Sequence, residues 1–198
     1  QWRRRWPEAL GLWSHFTRLR DPLLCETSDA ARAAGLDGSF AMIRLTDQLV
    51  VIDLEQVAAL GLGDLTLEVL GHEIGHHILC PASLTAQGRL LARIRWALPT
   101  VEHAAPAVAN LYADLHINDR LQRGSGLRMD EVYRRLRSAA GDDDTPGSSL
   151  WCLYQRIYEI LWALTRNELA PGPLSDRLEG DAQLGSRLIR AYRSDWLD

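Results

Sequence analysis

The residues of this sequence best suited to chemistry lie at positions 72–77, which read HEIGHH. Within this run, His72, Glu73 and His76 form the pattern HExxH. In a helix, residues four apart lie one turn apart on the same face, so the two histidines are spaced like two ligands of one zinc ion. Glu73 lies about 100° further round the helix, where a carboxylate can deprotonate a bound water. The pattern therefore indicates zinc-dependent hydrolysis with Zn²⁺ as the cofactor.

The residues around the motif predict a buried helix rather than an exposed one. Residues 65–80 are apolar on nearly all sides, and no Lys or Arg occurs between Arg44 and Arg89. Burying titratable groups without a basic partner is costly unless they bind a metal. Gly71 and Gly75 cost about 1 kcal/mol each relative to alanine in a helix, which indicates close packing by another element. The alternative is an exposed amphipathic helix with two unconnected histidines.

A catalytic zinc usually takes three protein ligands, so a third one must come from elsewhere in the chain. The downstream candidates are Glu102, His103, Asp114, His116 and Asp119. Helical phase favours Asp114, because it shares the apolar face of a predicted helix over residues 107–122. His116 and Asp119 fall on the more polar side of that helix. We therefore predict His72, His76 and Asp114 as the zinc ligands.

Two alternatives for the third ligand stay open on the sequence alone. Asn110 and Asn118 lie one turn on either side of Asp114, where they can support it as a ligand. They could equally satisfy a buried Asp114 without any metal. Glu102 is the rival ligand, because another branch of HExxH enzymes uses a downstream glutamate, although a helix-capping role also explains it. Candidate stabilisers of an oxyanion are Tyr112, His77 and His116.

The elements that position these residues predict an α+β fold, mostly helical, with a small β-hairpin before the HExxH helix. Apolar and β-branched residues at 39–45 and 49–54 predict the hairpin, and Asp64 is expected to cap the HExxH helix. Further helices are predicted within residues 2–20 with Pro7 at the helix start, and over 28–34 with Ser28 as the cap, 55–60, 85–98, 107–122, 129–138, 150–169 and 180–197. We expect one domain over residues 1–140, a loop over 141–149, and a C-terminal helical extension over 148–198 packed on the domain.

Composition narrows the class of protein further. The 198 residues are 46% hydrophobic and 24% charged, as in ordinary globular proteins, and the net charge of −4 argues against a nucleic-acid partner. No apolar run approaches the roughly 20 residues that span a bilayer, and no signal peptide is visible, so we expect a cytoplasmic protein without a membrane partner. Because the chain begins with Gln1, we expect a piece of a longer protein.

The three cysteines form no metal-binding or redox pattern. Cys25, Cys80 and Cys152 are far apart without a CxxC, so we expect buried, reduced thiols. Cys80 follows His76 by four residues, but Pro81 is expected to end the helix there. Cys80 is therefore interpreted as a core residue at the helix end and not as a ligand.

Three stretches together resemble a known family. The hairpin, HEIGHH, NLYADLHIN at 110–118 and DEVYRRL at 130–136 resemble the metallopeptidase domain associated with VWA domains and MoxR-type ATPases in bacteria. The positions that match this family beyond HExxH are Ala113, Asp114, Ile117, Asn118, Glu131, Tyr133 and Leu136. The resemblance covers residues 38–137. It implies a zincin-like fold and membership of a multi-component system with a VWA-domain or ATPase partner, and some such systems are proposed to act against phage. ImmA/IrrE-type peptidases are more remotely similar.

These observations lead to one main hypothesis and two alternatives. The main hypothesis is a zinc metallopeptidase acting on a protein or peptide substrate, in which Glu73 takes a proton from the zinc-bound water and delivers it to the leaving amine. The strand at 39–45 is expected to pair with the extended substrate. The first alternative is a non-catalytic zinc-binding regulatory or interaction module. The second is a helical scaffold without a metal.

Overall fold

The computed structural model describes residues 1–140, 149–170, 172 and 174–197, and within them the chain is mostly helical with one three-stranded sheet. The predicted α+β class is therefore confirmed. The elements are α1 (Trp2–Gly11), β1 (Leu23–Cys25), α2 (Ser28–Ala33), β2 (Ala41–Arg44), β3 (Leu49–Asp53), α3 (Leu54–Ala59), α4 (Thr66–Ile78), α5 (Leu84–Ala97), a 3₁₀ turn (Glu102–Ala104), α6 (Ala105–Ser125), α7 (Met129–Ala140), α8 (Ser149–Leu161) and α9 (Asp176–Ala191).

Some expectations fall where the structure gives no description. The loop predicted over residues 141–149, and with it the boundary between the two predicted domains, lies outside the described residues apart from Ser149, which begins α8. In the described part of the chain, no helix has both the length and the apolar character needed to cross a bilayer.

The predicted hairpin is confirmed, and a third strand joins it. β2 pairs antiparallel with β3, whereas β1 pairs parallel with the other edge of β3. Val50 and Ile52 on β3 face the main core, and Val51 between them faces the smaller cluster around α2, as the alternation of a strand requires. β1 was not predicted, because three residues are too short to show a period. The order β1-β3-β2 makes β2 an edge strand of the described sheet.

Helix α4 lies between α1 and α6 with β2 alongside, so the HExxH residues sit inside the molecule. The close packing predicted at its glycines is confirmed. A Cβ at Gly75 would lie 2.5 Å from Ile117 Cγ2 on α6 and 2.7 Å from Trp13 Cζ2 beyond α1. The Trp13 indole N–H donates to the Gly71 carbonyl at 2.8 Å. The two glycines therefore let both neighbours approach the backbone of α4.

The C-terminal helices pack on the other side of α6. Leu115 of α6, Tyr133 of α7, Tyr158 of α8 and Ile189 of α9 share one buried cluster. Glu159 is 1% exposed, and its carboxylate accepts the backbone N–H groups of 167, 169 and 170, which folds the segment after α8 back on the helix. α8 thereby becomes a fixed wall beside α6 and α7.

The expected bounds of several helices are wrong. α1 ends at Gly11 instead of continuing to residue 20, with Pro7 inside it and Phe16 beyond it 87% exposed. Trp2 and Trp6, one turn apart and buried, explain why α1 starts before the proline. α8 ends at Leu161 and not at 169, where Glu159 turns the chain, and α9 runs from 176 to 191 instead of from 180 to 197.

Two predicted caps and one cysteine also differ from expectation. Asp64 does not cap α4, whose N-cap is Leu65, because its carboxylate pairs with Arg135 and lies 3.6 Å from Arg128. α2 is capped by Thr27 and not Ser28, since the Thr27 hydroxyl accepts the Ala30 N–H. Cys25 and Cys80 are buried as expected, whereas Cys152 is half-buried.

Candidate metal centre

Three side chains predicted as ligands meet at one point. Asp114 Oδ1 lies 3.5 Å from His72 Nε2 and 3.3 Å from His76 Nε2, and the two Nε2 atoms lie 3.3 Å apart. Donors that bind one Zn²⁺ tetrahedrally at about 2.0–2.2 Å lie roughly 3.3–3.6 Å from each other. The triangle of donor atoms therefore has the size that a single zinc ion requires.

The chemistry of these atoms fits a cation as well as their spacing does. Asp114 Oδ1 is buried and receives no hydrogen bond within the described structure. His76 Nδ1 lies 3.0 Å from the Cys80 carbonyl, which can only accept, so Nδ1 carries the proton and Nε2 of the neutral ring has a lone pair. A cation placed between this buried carboxylate oxygen and such lone pairs, which lie 3.3–3.5 Å from it, would attract all three donors.

Neighbouring polar groups orient each of the three donors. Asn110 Nδ2 donates to Asp114 Oδ2 at 3.1 Å, which leaves Oδ1 directed at the histidines. Asn118 was expected to support Asp114, but its Oδ1 lies 2.7 Å from His72 Nδ1 instead. Asn118 on α6 lies opposite His72 on α4, so its amide oxygen contacts the imidazole across the interface between the two helices instead of Asp114. Such supporting contacts are typical of metal-binding histidines and carboxylates.

Glu73 lies beside the three donor side chains, and the pKa of its carboxyl group is raised. It is 6% exposed, and burial raises its pKa to about 7, an effect that the charge of Asp114 reinforces. His72 and the backbone N–H of Ile43 on β2 act in the opposite direction and favour the carboxylate. A carboxyl group with a pKa near neutrality can both accept and return a proton, as a general base must.

The histidines, Glu73 and Asp114 line a pocket of about 560 Å³. β2 forms one wall, and residues of α4, α6, α7 and α8 form the others. Its apolar lining includes Phe40, Met42, Val69, Met129, Val132, Leu136 and Trp151. The pocket is large enough for one or two side chains of a bound peptide, and Ala41, Met42 and Ile43 of the edge strand β2 line it.

The other candidate ligands lie apart from this group. Glu102 and His103 are exposed in the 3₁₀ turn before α6. Asp119 is half-buried and lies 3.8 Å from Arg123, and burial raises its pKa. His116 was expected on a polar face but is 4% exposed, because α6 is covered on both sides. Burial lowers the pKa of His116 to about 4.

Within the described structure, no hydrogen bond joins any of the three candidate oxyanion stabilisers to His72, His76 or Asp114. The Tyr112 hydroxyl donates to the Trp196 carbonyl at 2.6 Å. His116 packs edge-on against the Tyr112 ring, with the ring centroids 4.8 Å apart. His77 is half-buried at the end of α4, and burial lowers its pKa.

One part of the site was not predicted. The hydroxyls of Tyr133, Tyr154 and Tyr158 form a buried cluster that hydrogen-bonds Asn118. The spacing of Tyr154 and Tyr158 by one helical turn is visible in the sequence, and it predicts only that both rings share one face of α8. Nothing in the sequence indicated that these rings would face Asn118.

Comparison with known proteins does not place the chain in a family. No protein-family model matches it, and no curated protein or solved structure is significantly similar.

Proposed function

We propose that this protein is a zinc-dependent metallopeptidase with a zincin-like active site. The observation that carries the proposal is the convergence of His72, His76 and Asp114 on a point where Asp114 Oδ1 is buried without a donor. Two imidazoles and one carboxylate are a donor set that zinc enzymes use. Glu73 lies next to His72 in the same pocket, as a base for hydrolysis must.

The roles of the residues follow from their positions. When bound by such donors, Zn²⁺ acts as a Lewis acid and lowers the pKa of a coordinated water towards 7. The Glu73 carboxylate accepts a proton from the attacking water and returns it to the nitrogen of the leaving amine. The Ile43 N–H holds the Glu73 carboxylate against β2, which keeps the base in a fixed place during both transfers.

The substrate fits the pocket as an extended peptide with an apolar side chain. Within the described sheet β2 is an edge strand, and an extended peptide can lie along such a strand. Among the described residues that line the pocket, the charged ones are Glu68, Glu73 and Asp114, all acidic. An acidic substrate side chain would be repelled there, whereas an apolar one would bury surface against Met42 and Val132.

The resemblance to the VWA- and MoxR-associated family extends the proposal to partners. We propose that the protein works in the cytoplasm of a bacterium with a VWA-domain or ATPase partner. Co-purification of the chain with proteins encoded beside it tests this part. Failure to recover such a partner would contradict the multi-component assignment without affecting the peptidase chemistry.

The experiment that tests the function combines metal analysis with mutation. Wild-type protein purified without chelator should contain about one zinc per chain and cleave a peptide library. Glu73→Gln should keep the zinc and lose at least 100-fold in cleavage rate, because general-base catalysis contributes about 10²–10⁴-fold. Asp114→Ala should lose the zinc, whereas the matched carboxylate variant Glu102→Ala should keep both zinc and activity.

Other outcomes select between the remaining functions. Cleavage by Glu73→Gln at the wild-type rate would contradict the mechanism. Stoichiometric zinc without cleavage of any peptide would support the non-catalytic zinc-binding module. Wild-type protein without any metal would support the helical scaffold.

A further inference from the structure

Three tyrosine hydroxyls close a ring beneath the candidate metal centre. Tyr133 on α7 and Tyr154 and Tyr158 on α8 are 9%, 2% and 0% exposed. The oxygen–oxygen distances are 2.6 Å for Tyr133–Tyr154, 2.8 Å for Tyr154–Tyr158 and 3.3 Å for Tyr133–Tyr158. Burial raises the pKa of all three hydroxyls, so each keeps its proton at neutral pH.

Counting these protons fixes the direction of every bond in the ring. A phenol has a single proton to donate. Tyr133 donates to Tyr158, so the contact between Tyr133 and Tyr154 must be donated by Tyr154. Tyr158 then donates to Tyr154. All three protons are used inside the ring, and toward any outside group the hydroxyls can only accept.

The outside group is the Asn118 side chain, which is fully buried. One end of its amide lies 2.8 Å from the Tyr133 hydroxyl and 2.7 Å from the Tyr158 hydroxyl. Because both hydroxyls can only accept, this end must be the NH₂ group. The amide oxygen therefore points the other way and lies 2.7 Å from His72 Nδ1. Since the oxygen can only accept, His72 must be protonated at Nδ1.

We propose that the tyrosine ring is a positioning device that sets the tautomer of His72. With the proton on Nδ1, the Nε2 atom of His72 presents a lone pair to His76 Nε2 and Asp114 Oδ1. A reversed Asn118 amide would place its NH₂ group against Nδ1 and move the proton to Nε2, where it blocks metal binding. Tyr133, Tyr154 and Tyr158 thus act on the metal centre through Asn118. The effect on zinc binding rests on the proposed function, whereas the assignment of the His72 tautomer does not.

The test uses Tyr154→Phe, because Tyr154 touches neither Asn118 nor His72 through its hydroxyl. Removing this hydroxyl opens the ring and frees the proton of Tyr158, which can then be donated to a reversed Asn118 amide. Nitrogen-15 NMR of metal-free protein reads the His72 tautomer directly. We expect Nδ1–H alone in the wild type and a mixture with Nε2–H in the variant. Zinc affinity, measured by competition with a chelator, should fall about 10–100-fold, as for other residues behind metal ligands.

Two further variants control for loss of a buried hydroxyl and for packing. Tyr112→Phe also removes a hydroxyl, which donates to Trp196, and should leave both the tautomer and the zinc affinity unchanged. Asn118→Asp offers only acceptor oxygens, so one of them faces His72 Nδ1 even if a ring proton must turn toward the other, and Nδ1–H and zinc binding should be retained. Asn118→Leu should lose the preference of His72 for the Nδ1–H tautomer. If Tyr154→Phe fails to fold, Tyr133→Phe removes another member of the ring and replaces it in the test.

The outcomes separate this inference from the proposed function. A wild-type His72 protonated at Nε2, or a folded Tyr154→Phe with pure Nδ1–H and wild-type zinc affinity, would overturn the role of the ring. Zinc binding could still hold in that case. Absence of zinc from the wild type would reject the proposed function, whereas the NMR measurement on metal-free protein would still decide the tautomer.

Discussion

Replacing Gly75 by alanine probes how tightly α4 is held against its neighbours. The new Cβ would lie 2.5 Å from Ile117 Cγ2 and 2.7 Å from Trp13 Cζ2. Carbon atoms pack best at about 3.5–4.0 Å, so the neighbours or α4 must move by about 1 Å. Overpacking of this kind costs roughly 1–3 kcal/mol, and the higher helix propensity of alanine returns about 1 kcal/mol. We expect a net loss of about 0–2 kcal/mol in the free energy of unfolding.

The same displacement should reach the metal centre. Gly75 precedes His76, and Ile117 lies one turn after Asp114 on α6. Pushing α4 away from α6 therefore separates His76 Nε2 from Asp114 Oδ1, which lie 3.3 Å apart in the native protein. A misplacement of about 1 Å can cost 100-fold in rate. We expect kcat/KM for a peptide substrate to fall by about this factor, with weaker zinc binding.

Urea denaturation measured by circular dichroism gives the change in stability, with the m-value as a check that compactness is unchanged. Gly88→Ala on α5 is the matched control, since its Cβ would meet no atom within 4 Å. It should stabilise the protein by about 0.5–1 kcal/mol. The double variant Gly75→Ala/Ile117→Ala should be more stable than the sum of its single variants predicts, because the new methyl enters the space that Ile117 leaves. Strict additivity, or a Gly75→Ala protein as stable as Gly88→Ala, would refute the packing argument.

Two further predictions concern the effect of zinc on Tm and the dependence of Tm on pH in the acid range. At a free zinc concentration of about 100 times the Kd, bound zinc stabilises the folded state by about 2.7 kcal/mol. Removing the zinc with a chelator should therefore lower Tm by roughly 5–10 °C in calorimetry. Asp114→Asn should show no response to the chelator, and an unchanged wild-type Tm would contradict bound zinc. The hydrogen bond from Arg135 lowers the pKa of Asp64 from 3.8 to about 2, so the unfolded state binds more protons between these values. Wild type should therefore exceed Asp64→Asn in Tm at neutral pH and lose most of this advantage as the pH falls from 3.8 towards 2; an advantage as large near pH 2 as at neutral pH would contradict the pairing.

Helical periodicity was sufficient to predict the inner part of the site. The phase of Asp114 relative to its apolar neighbours depends only on the regular turn of α6, so its inward direction follows from the sequence. Gly71 and Gly75 signalled close packing because their cost in a helix needs a compensating contact. These features are local, and local geometry is what a sequence specifies most directly.

Features that depend on distant segments could not be predicted in the same way. His116 is polar and was assigned to the exposed side of α6, but it is 4% exposed, and nothing in residues 107–122 indicates this burial. Asp64 has the composition of a helix cap, yet Arg135 from α7 binds it instead. The tyrosine ring combines two helices and one residue of a third. For Asp64 and for Asn118, a partner at least 40 residues away in the sequence decides the role.

Tyr154 and Tyr158 both belong to α8, so the packing of this helix on α6 is linked to the proposed metal centre. If these hydroxyls strengthen zinc binding through Asn118, zinc must strengthen the docking of α8 on α6 by the same free energy, because linkage between two equilibria is reciprocal. If the proposal is correct, a partner that pulls α8 away would weaken zinc binding by about 10–100-fold, and removal of zinc would weaken the docking of α8 by the same factor. Contacts made by the C-terminal helices would then regulate how much of the protein carries zinc.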